Sequence, residues 1–138
     1  MNIHMNIVKI MIPKSLTVFL NENDTLRQGF ELMTEKGYTA LPVLNDHGEY
    51  VGSVTEGDFL RYIMRNGEDL KEWESHSIGE VLRRDFCPAL SIDAEKESVI
   101  DSVLQQNFVP VVDGRNLLCG IITRRRLIAH LAGRSITL

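Results

Sequence analysis

The residues best placed to do chemistry are Thr123, Arg124, Arg125 and Arg126, which directly follow the apolar run Gly120-Ile121-Ile122. This order reads as the end of a strand, a threonine that can cap a helix, and that helix's first turn. A helix N-terminus leaves about four backbone N–H groups unpaired and carries roughly half a positive charge. Three guanidinium groups there oppose the helix dipole, at up to about 1 kcal/mol each. An anion would resolve the conflict, because such a terminus already suits phosphate and arginine forks match phosphate oxygens. Thr123 to Arg126 are therefore expected to face the phosphate of a nucleotide; the alternative is that the arginines splay into water or pair with acids. An earlier echo, Gly52-Ser53-Val54-Thr55-Glu56-Gly57-Asp58, carries a carboxylate where the later copy has Arg126. Thr55 and Asp58 read either as a ligand-binding pair or as a plain N-cap with an acid in the first turn.

Other chemistries find no support. There is no G-x-S-x-G elbow, no phosphate-binding P-loop and no H-E-x-x-H, so no catalytic residue is assigned and no enzyme is expected. Cys87 and Cys119 stand far apart without a CxxC, and His4, His47, His76 and His130 are scattered, which suggests neither a disulfide framework nor a metal site. No cofactor is required by any motif. A net charge of -4 argues against general nucleic-acid affinity. The opening MNIHMNIVKIMIP has no charged start followed by a clean apolar run, and no window approaches the ~20 apolar residues of a membrane span. It reads as an amphipathic lead-in packed on the body of a cytoplasmic protein with no membrane partner.

The elements that must position these residues occur twice. In the first half, Leu16 to Leu20 is a β-prone run, Thr25 to Lys36 a helix with Thr25 and Gln28 at capping-box spacing, and Gly37 its stop. Tyr38 to Leu44 and Tyr50 to Val54 form a hairpin about the turn Asn45-Asp46-His47-Gly48. A helix over 56–66 follows, with Phe59, Leu60, Ile63 and Met64 as its buried stripe. A polar connection over 67–77 contains Trp73 as a packing anchor or dimer contact, and Ser77 with Glu80 starts a short helix to about Arg84. The second half repeats the order: a strand over 89–92, a helix over 95–106 with Val99, Val103 and Leu104 inward, strands over 109–112 and 117–122, and a helix over 124–132 with Leu127, Ile128 and Leu131 inward.

The offset of 68 positions between Pro42 and Pro110 also separates Gly52 from Gly120 and Thr55 from Thr123. Two copies at that spacing mean a duplicated half-domain. Each half is too small to bury a stable core alone, so one shared core about a pseudo-two-fold axis is expected, with a cleft on each side. The fold class is α/β (α+β) with two β-α-β-β-α repeats: repeat 1 over 7–66, a connector over 67–77 and repeat 2 over 78–133.

This pattern, LPVL with GSVTEGD and then VPVV with GIITRRR, resembles a pair of CBS domains, the tandem Bateman module, over nearly the whole chain. The resemblance implies a regulatory module that binds adenine nucleotides between its repeats, forms a disc-like homodimer and signals to a target protein. Carried over residue by residue, one nucleotide site takes Thr17, Val18, Tyr38, Thr39, Ala40 and Pro42 with Thr123, Arg124, Arg125 and Arg126. A possible second site takes Ala89, Leu90, Asn107 and Phe108 with Thr55 and Asp58. The ribose carboxylate of the family survives at Asp58 and is replaced at Arg126. The base loop survives at Gly37 to Pro42, while its copy at Asn107 to Pro110 reads about two residues shorter. The combination is similar to small stand-alone CBS proteins that bind cyclic di-AMP. That ligand is expected first, with AMP or ATP as the competitor, because SLTV offers no basic residue beside the base loop. A ligand-free dimerisation scaffold is the remaining reading.

Overall fold

The computed structural model describes residues 6–67, 69 and 71–133. His4, the first part of the lead-in and the tail over 134–138 lie outside the described residues. The chain divides into two compact units: Val18–Phe86, and the segment up to Thr17 together with the chain from Cys87 on.

The unit Val18–Phe86 is built on a three-stranded sheet in the order β2-β3-β4, with β2 (Leu20–Asn21) parallel to β3 (Ala40–Leu44) and β3 antiparallel to β4 (Tyr50–Thr55). Helix α2 (Leu26–Lys36) starts with the expected capping box of Thr25 and Gln28 and ends at Gly37 in the left-handed conformation (φ 73°). Helix α3 (Glu56–Asn66) starts from Thr55. Leu26, Met33, Leu41, Val43, Val54, Phe59, Trp73 and Ile78 form its buried cluster. Trp73 sits in a 3₁₀ turn (Glu72–Glu74), with its ring 5.5 Å from Phe30 and 5.8 Å from Phe59. Trp73 of the connector is thereby drawn into this core.

The other unit has a four-stranded sheet, β1-β7-β6-β5. Here β5 (Leu90–Ser91) runs parallel to β6 (Phe108–Val112), β6 is antiparallel to β7 (Leu118–Thr123), and β1 (Ile12–Pro13) adds antiparallel to the far edge. Helices α1 (Ile7–Ile10), α4 (Lys96–Gln105) and α5 (Arg124–Leu131) complete it. Its buried cluster joins Ile7, Ile10 and Met11 of the lead-in to Val99, Val103, Val109, Val111, Ile122 and Leu127.

The duplication is visible bond by bond. Ala40 faces Thr55 and Val43 faces Gly52; Phe108 faces Thr123 and Val111 faces Gly120, and both hairpins carry an irregularity one residue further on. Each hairpin also receives a segment from outside its own repeat. Ile12 pairs with Ile121, and Arg83 bridges Ser53. A Cβ on Gly120 would overlap the Ile12 carbonyl, and one on Gly52 would stand 2.7 Å from the Arg83 carbonyl. Both positions need a residue without a side chain for this close approach.

Several expectations are corrected. Buried residues gather in two clusters, one enlarged by the lead-in and the other by Trp73 and Ile78. Residues up to Thr17 group with the later half, and the segment from Val18 to Phe86 forms the other unit. The expected strand over 16–20 is instead a 3₁₀ turn (Lys14–Leu16) followed by the short β2, and the helix from Ser77 shrinks to a 3₁₀ turn (Ile78–Glu80) that keeps its capping box. The apolar stripes of α3, α4 and α5 are only half buried. Phe59, Val103 and Leu127 face inward, while Leu60, Met64, Leu104, Ile128 and Leu131 are exposed. Helical periodicity marks an apolar face without saying what covers it.

Candidate functional site

Each unit presents the same construction: a hairpin strand ending in threonine, whose hydroxyl accepts the N–H of the third helical residue. Such a cap satisfies one of the four unpaired donors. What stands at that third position differs, and the rest of the site differs with it.

At α3 the residue is Asp58, whose side chain is 3 % exposed. Its Oδ2 accepts the Thr55 backbone N–H at 2.8 Å and the Thr55 hydroxyl at 3.0 Å, completing a capping box. Its Oδ1 is ion-paired with Arg61, one turn along α3, and lies 2.9 Å from Arg83 Nε without the alignment of a hydrogen bond. A buried carboxylate is tolerated when paired and hydrogen-bonded, and this one is held on both oxygens. Arg83 also donates to the Thr55 hydroxyl at 3.4 Å and lies 3.6 Å over the Phe86 ring. Asp58 thus performs the capping role and is committed to the chain's own arginines. Arg61 was missed from sequence; its i,i+3 spacing from Asp58 was the available signal.

At α5 the residue is Arg126, which cannot return a hydrogen bond to Thr123. Its Nε instead donates to the Ile10 carbonyl at 2.9 Å and its Nη2 to the Met11 carbonyl at 3.4 Å, at the C-terminal end of α1. Arg124 behaves likewise toward α4: Nε donates to the Val103 carbonyl at 2.8 Å and Nη2 to that of Leu104 at 3.1 Å, with Asn107 Oδ1 3.5 Å from Nη1. Cations suit helix C-termini, where carbonyls are unpaired and the dipole is negative. The mismatch that suggested a bound anion is thus relieved within the protein for Arg124 and Arg126, which donate to carbonyl oxygens at neighbouring helix ends. Arg125 is exposed and has no hydrogen-bond or ion-pair partner among the described residues.

The remaining candidates divide between the units. Val18, Tyr38, Thr39, Ala40, Pro42, Thr55 and Asp58 lie in Val18–Phe86; Thr17, Ala89, Leu90, Asn107, Phe108 and Thr123 to Arg126 lie in the other. Within the first, the Tyr38 side chain is exposed, and the Thr39 carbonyl accepts the Glu56 N–H at 3.0 Å. Ala40 and Thr55 are therefore neighbours across the hairpin, while Pro42 is buried beneath them. The hydroxyl of Thr17 is turned onto the Pro13 carbonyl at 2.9 Å. In the second copy the helix-to-strand connection is Gln106–Asn107, one residue shorter than the 37–39 connection and not two, because α4 runs on through Gln105. Gln106 Nε2 spans the Pro88 and Phe108 carbonyls at 3.2 and 3.3 Å and so ties the start of β5 to β6. Cys119 lies against the core, where burial and the nearby Asp113 raise its thiol pKa and keep it protonated. No helix among the described residues is long and apolar enough to cross a membrane.

A family model described as the CBS domain matches residues 8–65 and 78–133. Among solved structures, CbpB in complex with c-di-AMP superposes with a TM-score of 0.87 at 19 % identity, over 94 % of this chain and 85 % of that one. The CbpB protein of Listeria monocytogenes, also in complex with c-di-AMP, gives 0.79 at 22 % identity over 89 % and 92 %. CBSX2 in complex with AMP gives 0.72 at 23 % identity over 90 % and 93 %. These likenesses establish the fold. An uncharacterized protein of Methanocaldococcus jannaschii is 29 % identical over 91 % of this chain and 32 % of its own length. A homoserine O-acetyltransferase of Methanococcus vannielii is 25 % identical over 86 % of this chain and 23 % of its own. The chain spans a third or less of the length of these curated relatives.

Proposed function

Because the chain belongs to the CBS-domain family and carries two copies of its domain, we propose that it is a non-enzymatic regulatory module of the cytoplasm. In this reading it binds an adenine nucleotide, cyclic di-AMP before AMP or ATP, and presents the bound state to a target protein. The observation that carries the reading is the start of α5. A threonine-capped helix N-terminus carries three arginines, two fixed on neighbouring helix ends and the third, Arg125, without a partner among the described residues. Arg125 and the hydroxyl of Thr123 supply the phosphate contacts, while Arg124 and Arg126 hold α5 against α4 and α1. Thr17, Val18, Tyr38, Thr39, Ala40 and Pro42 supply the base side, where exposed Tyr38 offers a ring face for stacking. Structures of the same fold bound to c-di-AMP and to AMP support both ligand readings. Asp58 has its carboxylate engaged, so the set of Thr55, Asp58, Ala89, Leu90, Asn107 and Phe108 ranks second. The exposed Leu60, Met64, Ile128 and Leu131 supply apolar helix faces for a homodimer.

A thermal-shift panel of cyclic di-AMP, AMP, ADP, ATP and cyclic di-GMP tests this. A ligand at 100 times its Kd stabilises by about 2.7 kcal/mol, which raises Tm by several degrees at this size. Stabilisation by cyclic di-AMP above the others is the expected result. No shift with any adenine nucleotide overturns the reading and leaves the dimerisation scaffold in its place.

A further inference from the structure

A cavity of about 430 Å³ opens within the unit Val18–Phe86, on the flank of α3 where the 76–83 segment packs beside it. It lies in the size range of small-molecule sites. Its walls bring together Arg61 and Arg65 from successive turns of α3 and Arg83 from the facing segment, with Tyr62, Asn66 and His76 between them. The charges do not balance. Asp58 offers one negative charge to both Arg61 and Arg83. Glu80, the other acid in the wall, is taken by His76, whose Nδ1 lies 2.9 Å from its Oε1. Arg65 has no hydrogen-bond or ion-pair partner among the described residues. Three guanidinium groups therefore face two carboxylates around one concave surface, and Arg65 is the one without a carboxylate beside it.

We propose that this cavity is an anion site for a phosphorylated small molecule, a phosphate ester or diphosphate. Its phosphate is held by the forks of Arg61 and Arg65 from one side and Arg83 from the other. Asp58 fixes two of these forks in advance, so that little side-chain freedom is lost on binding. Guanidinium planes present paired donors that match tetrahedral phosphate oxygens better than a point charge does. The Tyr62 hydroxyl and the Asn66 amide add neutral donors. Burial, with Glu72 and Glu80 nearby, raises the tyrosine pKa, so its proton stays in place for donation. The site uses none of the residues assigned above to the favoured nucleotide set and does not rest on that reading.

Titration calorimetry with inorganic pyrophosphate at fixed ionic strength is the test, with Arg65→Gln and, as a charge control in the other unit, Arg115→Gln. Saturable binding by the unaltered protein, weakened roughly tenfold or more by Arg65→Gln and unchanged by Arg115→Gln, is the expected result. Absence of saturable binding, or equal weakening by both substitutions, overturns the site. Cyclic di-AMP titrated into the Arg65→Gln protein separates the two proposals. Its affinity is expected to be unaltered; an unaltered protein that binds cyclic di-AMP but not pyrophosphate overturns this site alone, and one that binds pyrophosphate but not cyclic di-AMP overturns the nucleotide reading alone.

Discussion

The start of α3 and the start of α5 descend from one motif at an offset of 68 positions, yet they solve their electrostatics in opposite ways. At α3, Asp58 complements the positive helix end, closes a capping box and gathers two arginines. At α5, Arg126 turns away from that end and donates to the carbonyls that close α1. The segments they meet are also equivalent, since Arg83 stands beside Ser53 as Ile12 stands beside Ile121. In one copy the pairing segment supplies a cation to an acid; in the other it supplies carbonyls to a cation. The lesson is that a single exchange of charge sign can keep a hairpin-to-helix junction intact while changing what the junction offers to a ligand. One copy is closed on itself, and the other leaves Arg125 exposed.

Substitutions can break that comparison. The largest effect is expected from Asp58→Ala, which removes the capping box and leaves Arg61 and Arg83 without their counter-charge. Loss of about 2–4 kcal/mol is expected by urea denaturation, below the value for a wholly buried pair because both arginines are partly exposed. Gly120→Ala should follow at about 1–3 kcal/mol, since the new methyl displaces β1 from β7. Arg126→Ala should cost about 1–2 kcal/mol through lost hydrogen bonds to Ile10 and Met11. Arg126→Asp sharpens the comparison: it loses the same bonds but can rebuild the capping box, and should be more stable than the alanine variant by about 0.5–1 kcal/mol. Equal stability of the two would show that the α5 junction cannot take the α3 solution. Arg125→Ala should cost under ~0.5 kcal/mol and act on nucleotide affinity instead.

The smallest effect concerns acid. The hydrogen bond from His76, and then that from the Ser77 N–H, hold the Glu80 carboxyl below its ordinary pKa. A carboxyl whose folded pKa is depressed contributes stability at pH values above its unfolded pKa, and loses it as pH falls through the folded value. Glu80→Gln should therefore flatten the acid limb of the stability curve slightly, by lowering stability a little at neutral pH and leaving it nearly unchanged at low pH.

Much of this architecture was legible from local rules. The capping boxes at Thr25 and Ser77, the stop at Gly37, the α3 bounds and the repeat register all follow from residue type at fixed spacing. What escaped was non-local. The donation of Ile12 and Pro13 to the later sheet depends on Ile12 meeting Ile121, which no periodicity encodes. The exposure of Leu60, Met64, Ile128 and Leu131 was hidden because an apolar face looks the same whether a core or another molecule covers it. The arginine run was read from the charge of its own helix; the carbonyls of Val103, Leu104, Ile10 and Met11 that receive two of the three come from α4 and α1.

The central claim, that the α5 copy remains open to a nucleotide phosphate through Arg125, is tested most directly by titrating cyclic di-AMP into the unaltered and Arg125→Ala proteins. The account predicts saturable binding by the former and affinity roughly tenfold or more lower for the latter, at matched thermal stability. Undiminished affinity in the Arg125→Ala protein, or no binding by either, would contradict it.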